Sequence, residues 1–167
     1  MGPGAMTVPE EGGELRAELL RVAPFLAELP YDEVTNLADA LSVEPFEEGE
    51  VVVEEGMPGD RLYFVTRGSL VVTTAGADGR PVPVGRLWPG DFFGEVALLT
   101  GRPRAATVTA ECETICLGLG KESWARLVDR HPRVRILLEE AAQSRAGVSA
   151  EAVVEEFRRR PKPGVSG

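Results

Sequence analysis

Between Phe92 and Thr107 the chain carries a run of groups suited to capturing a small phosphate: Phe92-Phe93-Gly94-Glu95-Val96-Ala97-Leu98-Leu99-Thr100-Gly101-Arg102-Pro103-Arg104-Ala105-Ala106-Thr107. Gly94 lets the main chain approach a ligand closely. Residues 95–99 are long enough for one helical turn, whose free N–H groups favour an anion. Arg104 brings a fixed cation with forked donors that match phosphate oxygens. Ala105 and Ala106 are small and leave their N–H groups accessible. Glu95 supplies a carboxylate that accepts hydrogen bonds from sugar hydroxyls. On residue types alone, this is a site for a compact phosphate bearing a ribose.

The site follows a Pro89-Gly90-Asp91 turn and runs into a strand, within a long β-rich stretch. Short runs rich in Val, Thr, Phe and Tyr predict strands over 43–47, 50–54, 61–66, 69–74, 81–87, 105–110 and 113–119. Turn formers separate them, with Asp78-Gly79 the clearest hairpin signal. Strands of this length and spacing argue for an antiparallel sandwich or closed roll. Helical texture flanks them. On the N-terminal side, Leu15, Leu19, Val22, Phe25, Leu26 and Leu29 share a stripe broken at Pro24. Tyr31 to Leu41 repeats it with Val34, Leu37, Ala38 and Leu41. After the strands, Trp124, Leu127 and Val128 form one helix that ends before Pro132. Val134, Leu137, Leu138, Ala141 and Ala142 form the next, closed by Gly147. Ser149 caps a last predicted helix carrying Val153, Val154 and Phe157. The expected organisation is a loose N-terminus over 1–12, one domain over 13–147, and a terminal helix and tail over 148–167. The opening Met1 to Met6 reads as a cloning remnant and is set aside.

Bulk properties narrow the function classes. The 167 residues carry a net charge of -9, which repels a polyanion and disfavours broad nucleic-acid binding. A local cation is enough for a small anionic ligand. No apolar run approaches the ~20 residues that span a bilayer, and no signal peptide is visible. Cys112 and Cys116 read as reduced packing thiols, since four positions apart on one strand is roughly 13 Å, too far for a disulfide. Reduced thiols fit a cytoplasmic protein, free-standing or the cytoplasmic part of a membrane protein. Hydrolytic chemistry would want a metal site or an activated nucleophile. A lone His131, read as an interhelix turn residue, and the two thiols do not supply one, so neither an enzyme nor a bound metal is expected. Glu47, Glu48, Glu50, Glu54 and Glu55 read as a solvated acidic face, and Trp88 as a packing residue.

From Phe93 to Ala110 the residue types and spacing resemble the phosphate-binding cassette of cyclic-nucleotide-binding domains, without insertion or deletion. Pro58-Gly59-Asp60-Arg61-Leu62-Tyr63-Phe64 with Gly68 resembles that family's early hairpin. Val84-Gly85-Arg86-Leu87-Trp88-Pro89-Gly90-Asp91 resembles its run into the cassette, and Phe25 to Leu41 its first helices. The resemblance implies a mainly β fold with flanking α-helices, an antiparallel β-roll with N-terminal helices and C-terminal lid helices. It implies that Arg104 pairs with a cyclic phosphate and that Glu95 accepts the ribose 2′-hydroxyl. The backbone around Gly94, Val96, Ala97, Ala105 and Ala106 would complete the contacts, Val72 would touch the base, and the helix near 133–146 would close over it. Ala105 stands where family members tuned for cyclic GMP often carry Thr, so the implied ligand is cyclic AMP before cyclic GMP, with no further cofactor. The implied function is a regulatory sensor that moves helices to control an attached effector such as a kinase, channel or transporter, with oligomerisation left open. The alternative is the sensor half of a catabolite-activator-type transcription regulator without its helix-turn-helix domain.

Overall fold

The computed structural model describes residues 12–94, 98 and 101–143. Helix α1 (Gly12–Val22) turns its buried Leu15, Leu19 and Val22 inward. A 3-10 helix, Pro24–Glu28, follows, because Pro24 at its start has no N–H to continue α1. Helix α2 (Tyr31–Asp39) buries Val34, Leu37 and Ala38 and carries Asp32 and Glu33 in its first turn, where the helix dipole favours them. Eight strands come next: β1 (Ser42–Phe46), β2 (Val51–Val53), β3 (Arg61–Arg67), β4 (Leu70–Ala75), β5 (Pro81–Leu87), β6 (Phe92–Phe93), β7 (Thr107–Ala110) and β8 (Thr114–Gly120). Helices α3 (Lys121–Arg130) and α4 (Pro132–Gln143) end the described chain, joined at His131.

The strands form two four-stranded sheets, ordered β1-β8-β3-β6 and β2-β7-β4-β5. All pairings are antiparallel. The two sheets meet different environments. In β3, Leu62 and Phe64 pack with the helices, while Tyr63 and Val65 point into the roll; in β8, Leu117 and Leu119 face the helices and Cys116 faces the roll. The first sheet is therefore buried on both faces, which explains the unbroken apolar run Leu62-Tyr63-Phe64-Val65. The second sheet is covered on one face, and alternates accordingly: Leu70 and Val72 are buried, Val71 and Thr73 only partly. The first sheet is thus the wall between two cores, a helical one and a β-roll one. The helical core is fixed to this wall by Arg21 of α1, whose Nη2 donates to the Thr66 carbonyl of β3 at 3.0 Å.

The β-roll with flanking helices matches the expected fold class. Several details differ. Strand β6 falls inside the run that sequence assigns only to the ligand site, and it is two residues long. The strand expected over 105–110 starts at Thr107, because residues before it are drawn to another loop: Gly56 N donates to the Arg104 carbonyl at 2.9 Å, and Arg104 N to the Met57 carbonyl at 2.8 Å. Cys112 does not share a strand with Cys116; it sits in the bend before β8, so the strand-spacing argument does not apply. Both cysteines are free. Trp88 is 56% exposed, outside both cores, beside Val71, Pro83 and Arg86 of the second sheet. The N-terminal segment 1–11, the last predicted helix and the tail lie outside the described residues. No described helix is long and apolar enough to cross a membrane.

The two thiols give a direct check on the roll core. Cys116 is fully buried, and desolvation, then the nearby Glu44 carboxylate, push its pKa up to about 12. Cys112 is exposed. Because the thiolate is the reactive form, a disulfide reagent at pH 8 should label one thiol quickly in the native protein and the second only in denaturant. Two fast equivalents would show that the core is not closed around Cys116.

Candidate functional site

Arg104 is the centre of the site. Its residue is 5% exposed, although an arginine is almost never this buried without a partner. Its Nη2 donates to the main-chain carbonyl of Arg61 at 2.9 Å. Its Nη1 is buried with no hydrogen-bond partner among the described residues. The backbone at residue 104 is tied on both sides to the 54–57 loop by the two bonds already given, so the guanidinium projects from a fixed point.

Gly94 closes around it. Its φ of +100° lies in the left-handed region that favours glycine. A Cβ there would strike the Arg61 carbonyl and lie 2.6 Å from Arg104 Nη1. The Arg61 carbonyl, the Gly94 main chain and the Arg104 guanidinium thus form one contact set. Leu98 connects this set to the helical core: its N–H points to the Gly94 carbonyl at 3.4 Å, and its side chain packs against the cluster that holds Trp124, Leu127, Val134 and Leu138.

Beside the guanidinium lies the roll interior. Val72 and Ala106 are buried there with Val65, Val108 and Cys116, and Ala105 packs against them. Tyr63 stacks on Phe93 with ring centroids 5.0 Å apart and planes 19° apart. Burial, then the Glu44 carboxylate, push the Tyr63 pKa up to about 12, while the positive charges of Arg61 and Arg104 pull it back, so the phenol stays neutral among these charges.

Sequence names Gly94, Arg104, Ala105, Ala106 and Val72 as site residues; the structure sets Gly94 against the Arg104 guanidinium and packs Val72, Ala105 and Ala106 in the roll cluster. Glu95, Val96 and Ala97 lie outside the described residues. Arg102 is exposed. The expected lid helix, α4, packs its Val134, Leu137 and Leu138 into the helical core. What sequence reasoning missed is Arg61. Its contribution to Arg104 is a carbonyl, which every residue has, so no side-chain signal marks it. A separate surface cleft of about 340 Å³ between α2 and α3, lined by Asn36, Ser123, Leu127 and His131, contains none of the site residues. There His131 is the joint between α3 and α4, as expected, and its Nδ1 lies 2.9 Å from Glu33 Oε1 of α2.

Comparison with known proteins shows the family. Residues 43–131 match the model of the cyclic nucleotide-binding domain. The cAMP-dependent protein kinase regulatory subunit of Dictyostelium discoideum is 43% identical over 117 residues, covering 68% of this chain and 36% of that protein. This chain therefore spans about a third of that relative's length. Among solved structures, the regulatory domain of Toxoplasma gondii PKA with cAMP superposes with a TM-score of 0.69 at 31% identity, covering 80% of this chain and 50% of that one. The regulatory subunit of a cAMP-independent protein kinase A from Trypanosoma cruzi, bound to guanosine, gives 0.70 at 28% identity, covering 88% and 50%. With its β-roll, its cassette-like run and these likenesses, the chain belongs to the cyclic nucleotide-binding domain family.

Proposed function

We propose that this domain binds cyclic AMP through Arg104 and relays occupancy to an attached kinase-regulating or similar effector. The observation that carries the reading is Arg104 Nη1. A buried charge with an unused donor is costly, several kcal/mol in proteins, and such a group in a folded protein needs an explanation. An anionic oxygen placed against Nη1 supplies it, while Nη2 stays on the Arg61 carbonyl. Gly94 leaves room for that oxygen by having no Cβ. Glu95 takes the ribose hydroxyl, Val96, Ala97, Ala105 and Ala106 offer main-chain contacts, and Val72 meets the base. Ala105 lacks the hydroxyl that would answer a guanine amino group, which favours cyclic AMP over cyclic GMP. No other cofactor enters the reading.

Output follows from Leu98. A phosphate drawn to Arg104 pulls on the Gly94–Arg104 segment, and Leu98 transmits that pull to the core built from α3 and α4. The ligand shifts this equilibrium only by the difference in its affinity for the two helix arrangements. The relatives named above support a kinase regulatory role over a transcription regulator, and a regulatory role over catalysis. A cytoplasmic setting, with no nucleic acid and no membrane insertion by this chain, fits the reading.

Thermal melts with cyclic AMP, cyclic GMP, guanosine and 5′-AMP test it. Ligand that binds only the native state adds about 2.7 kcal/mol at a hundredfold excess over Kd. The largest Tm rise is expected with cyclic AMP, and no rise with either cyclic nucleotide at millimolar concentration overturns the function. Arg104→Ala should weaken binding by about 2–5 kcal/mol, roughly thirtyfold to several thousandfold. Arg104→Lys should also lose heavily, because a point charge does not reproduce the fork. Arg102→Ala should bind like the parent, and circular dichroism verifies folding. If Arg102→Ala loses affinity and Arg104→Ala does not, the wrong arginine has been assigned.

Gly94→Ala gives an independent reading of the same geometry. The added Cβ meets the Arg61 carbonyl at a positive φ, so about 1–3 kcal/mol of stability should be lost, together with measurable cyclic AMP binding. Full stability and affinity in this variant would contradict the geometry.

A further inference from the structure

The carbonyl that holds Arg104 belongs to a residue whose own side chain is clasped elsewhere. Arg61 is the first residue of β3, and its strand neighbours are unequal. On one side it pairs with Gly120 of β8; on the other, β6 reaches only Tyr63 and Phe64. The end of β3 at Arg61 therefore runs past the short strand, which leaves its carbonyl open to Arg104 Nη2. Strand pairing fixes this residue from one flank only.

The side chain of Arg61 supplies what the missing strand does not. Its Nη1 donates to Glu44 Oε2 of β1 at 2.9 Å and to Ser42 Oγ at 3.1 Å, and Ser42 Oγ donates to the same Glu44 oxygen at 3.0 Å. Because β8 lies between β1 and β3, this bridge has to cross a whole strand. It crosses at Gly118, which is paired with Ser42 on one side and Tyr63 on the other. A Cβ on Gly118 would collide with the Glu44 carboxylate and sit 3.2 Å from Arg61 Nη1. The crossing lies on the roll-facing side of the sheet, since Cys116, two residues back on β8, faces the roll and has its pKa raised in part by Glu44. The ion pair is partly exposed, with side chains 37% and 25% exposed.

We propose that Arg61 is a positioning residue for the ligand arginine: its side chain, clasped to Glu44 and Ser42 through the gap at Gly118, fixes the carbonyl that orients Arg104. Arg61 touches no ligand in this arrangement and acts through Arg104 alone. The proposal rests on Arg104 meeting a phosphate, so its effect should be confined to ligands that carry one.

The test compares cyclic AMP with adenosine, by calorimetric titration of the full chain. Glu44→Gln and Arg61→Gln keep their main chains and should weaken cyclic AMP by about three- to fivefold, leaving adenosine within about twofold of the parent. The double variant Glu44→Arg, Arg61→Glu, which restores an ion pair across Gly118, should recover most of the loss. Unchanged cyclic AMP affinity in both single variants overturns the proposal. So does an equal loss for both ligands, which would mean a generally loosened pocket. The ligand-free protein gives a second readout that survives failure of the phosphate reading itself. If the parent does not bind cyclic AMP, the function proposed above falls, and the positioning claim is decided by nitrogen-15 NMR of the Arg104 guanidinium. Separate Nη1 and Nη2 signals in the parent should merge in Glu44→Gln as rotation is freed; signals that stay separate overturn it.

Discussion

A guanidinium keeps its charge at any pH a cell reaches, so burying one obliges the surrounding protein to answer it. Here Arg104 is answered by half. Its Nη2 donates to the Arg61 carbonyl, and its Nη1 faces no described acceptor. The neighbouring features follow from that arrangement. Gly94 has no side chain because a Cβ would displace both the carbonyl and the guanidinium. The strand after the site starts late because residue 104 is bonded to the 54–57 loop. Strand β6 stops short of Arg61, which leaves the carbonyl available.

The first sheet is packed on both faces, between the roll and the helices. Tyr63, Val65 and Cys116 line the roll while Leu62, Phe64, Leu117 and Leu119, on the same two strands, hold the helices. A close-packed wall passes strain between its faces and does not absorb it. Leu98 offers a second route, leaving the Gly94 turn and ending among the residues of α3 and α4. In the proposed reading, the ligand end and the helical end of the domain are separated by one strand layer.

How much of this was legible in the sequence depended on whether a feature was written in side chains. The cassette-like run stands out in the sequence because an Arg at a set distance from a glycine, with small residues after it, is an unusual combination. Strand β3 was legible from its apolar run, and α1 was separable from the 3-10 helix by Pro24. Strand β6 was not, since two aromatic residues between turn formers look the same in a strand or a loop. The start of β7 was misplaced because Ala105 and Ala106 have no side chain that reports the pull of the 54–57 loop. Trp88 reads as a packing residue, and its type does not reveal that it lies half-exposed on the surface. The Arg61 carbonyl and the crossing at Gly118 were invisible for a deeper reason. The first is main chain, and the second joins three strands that are distant in sequence.

The central claim is that Arg104 Nη1 waits for a phosphate oxygen while Nη2 keeps the Arg61 carbonyl. A crystal structure of this chain grown with cyclic AMP measures that directly. The account predicts a phosphate oxygen within hydrogen-bond distance of Arg104 Nη1, with the Arg104 Nη2 to Arg61 carbonyl bond preserved. A cyclic nucleotide seated elsewhere, with Nη1 still unpaired or the phosphate held by Arg102, would contradict it.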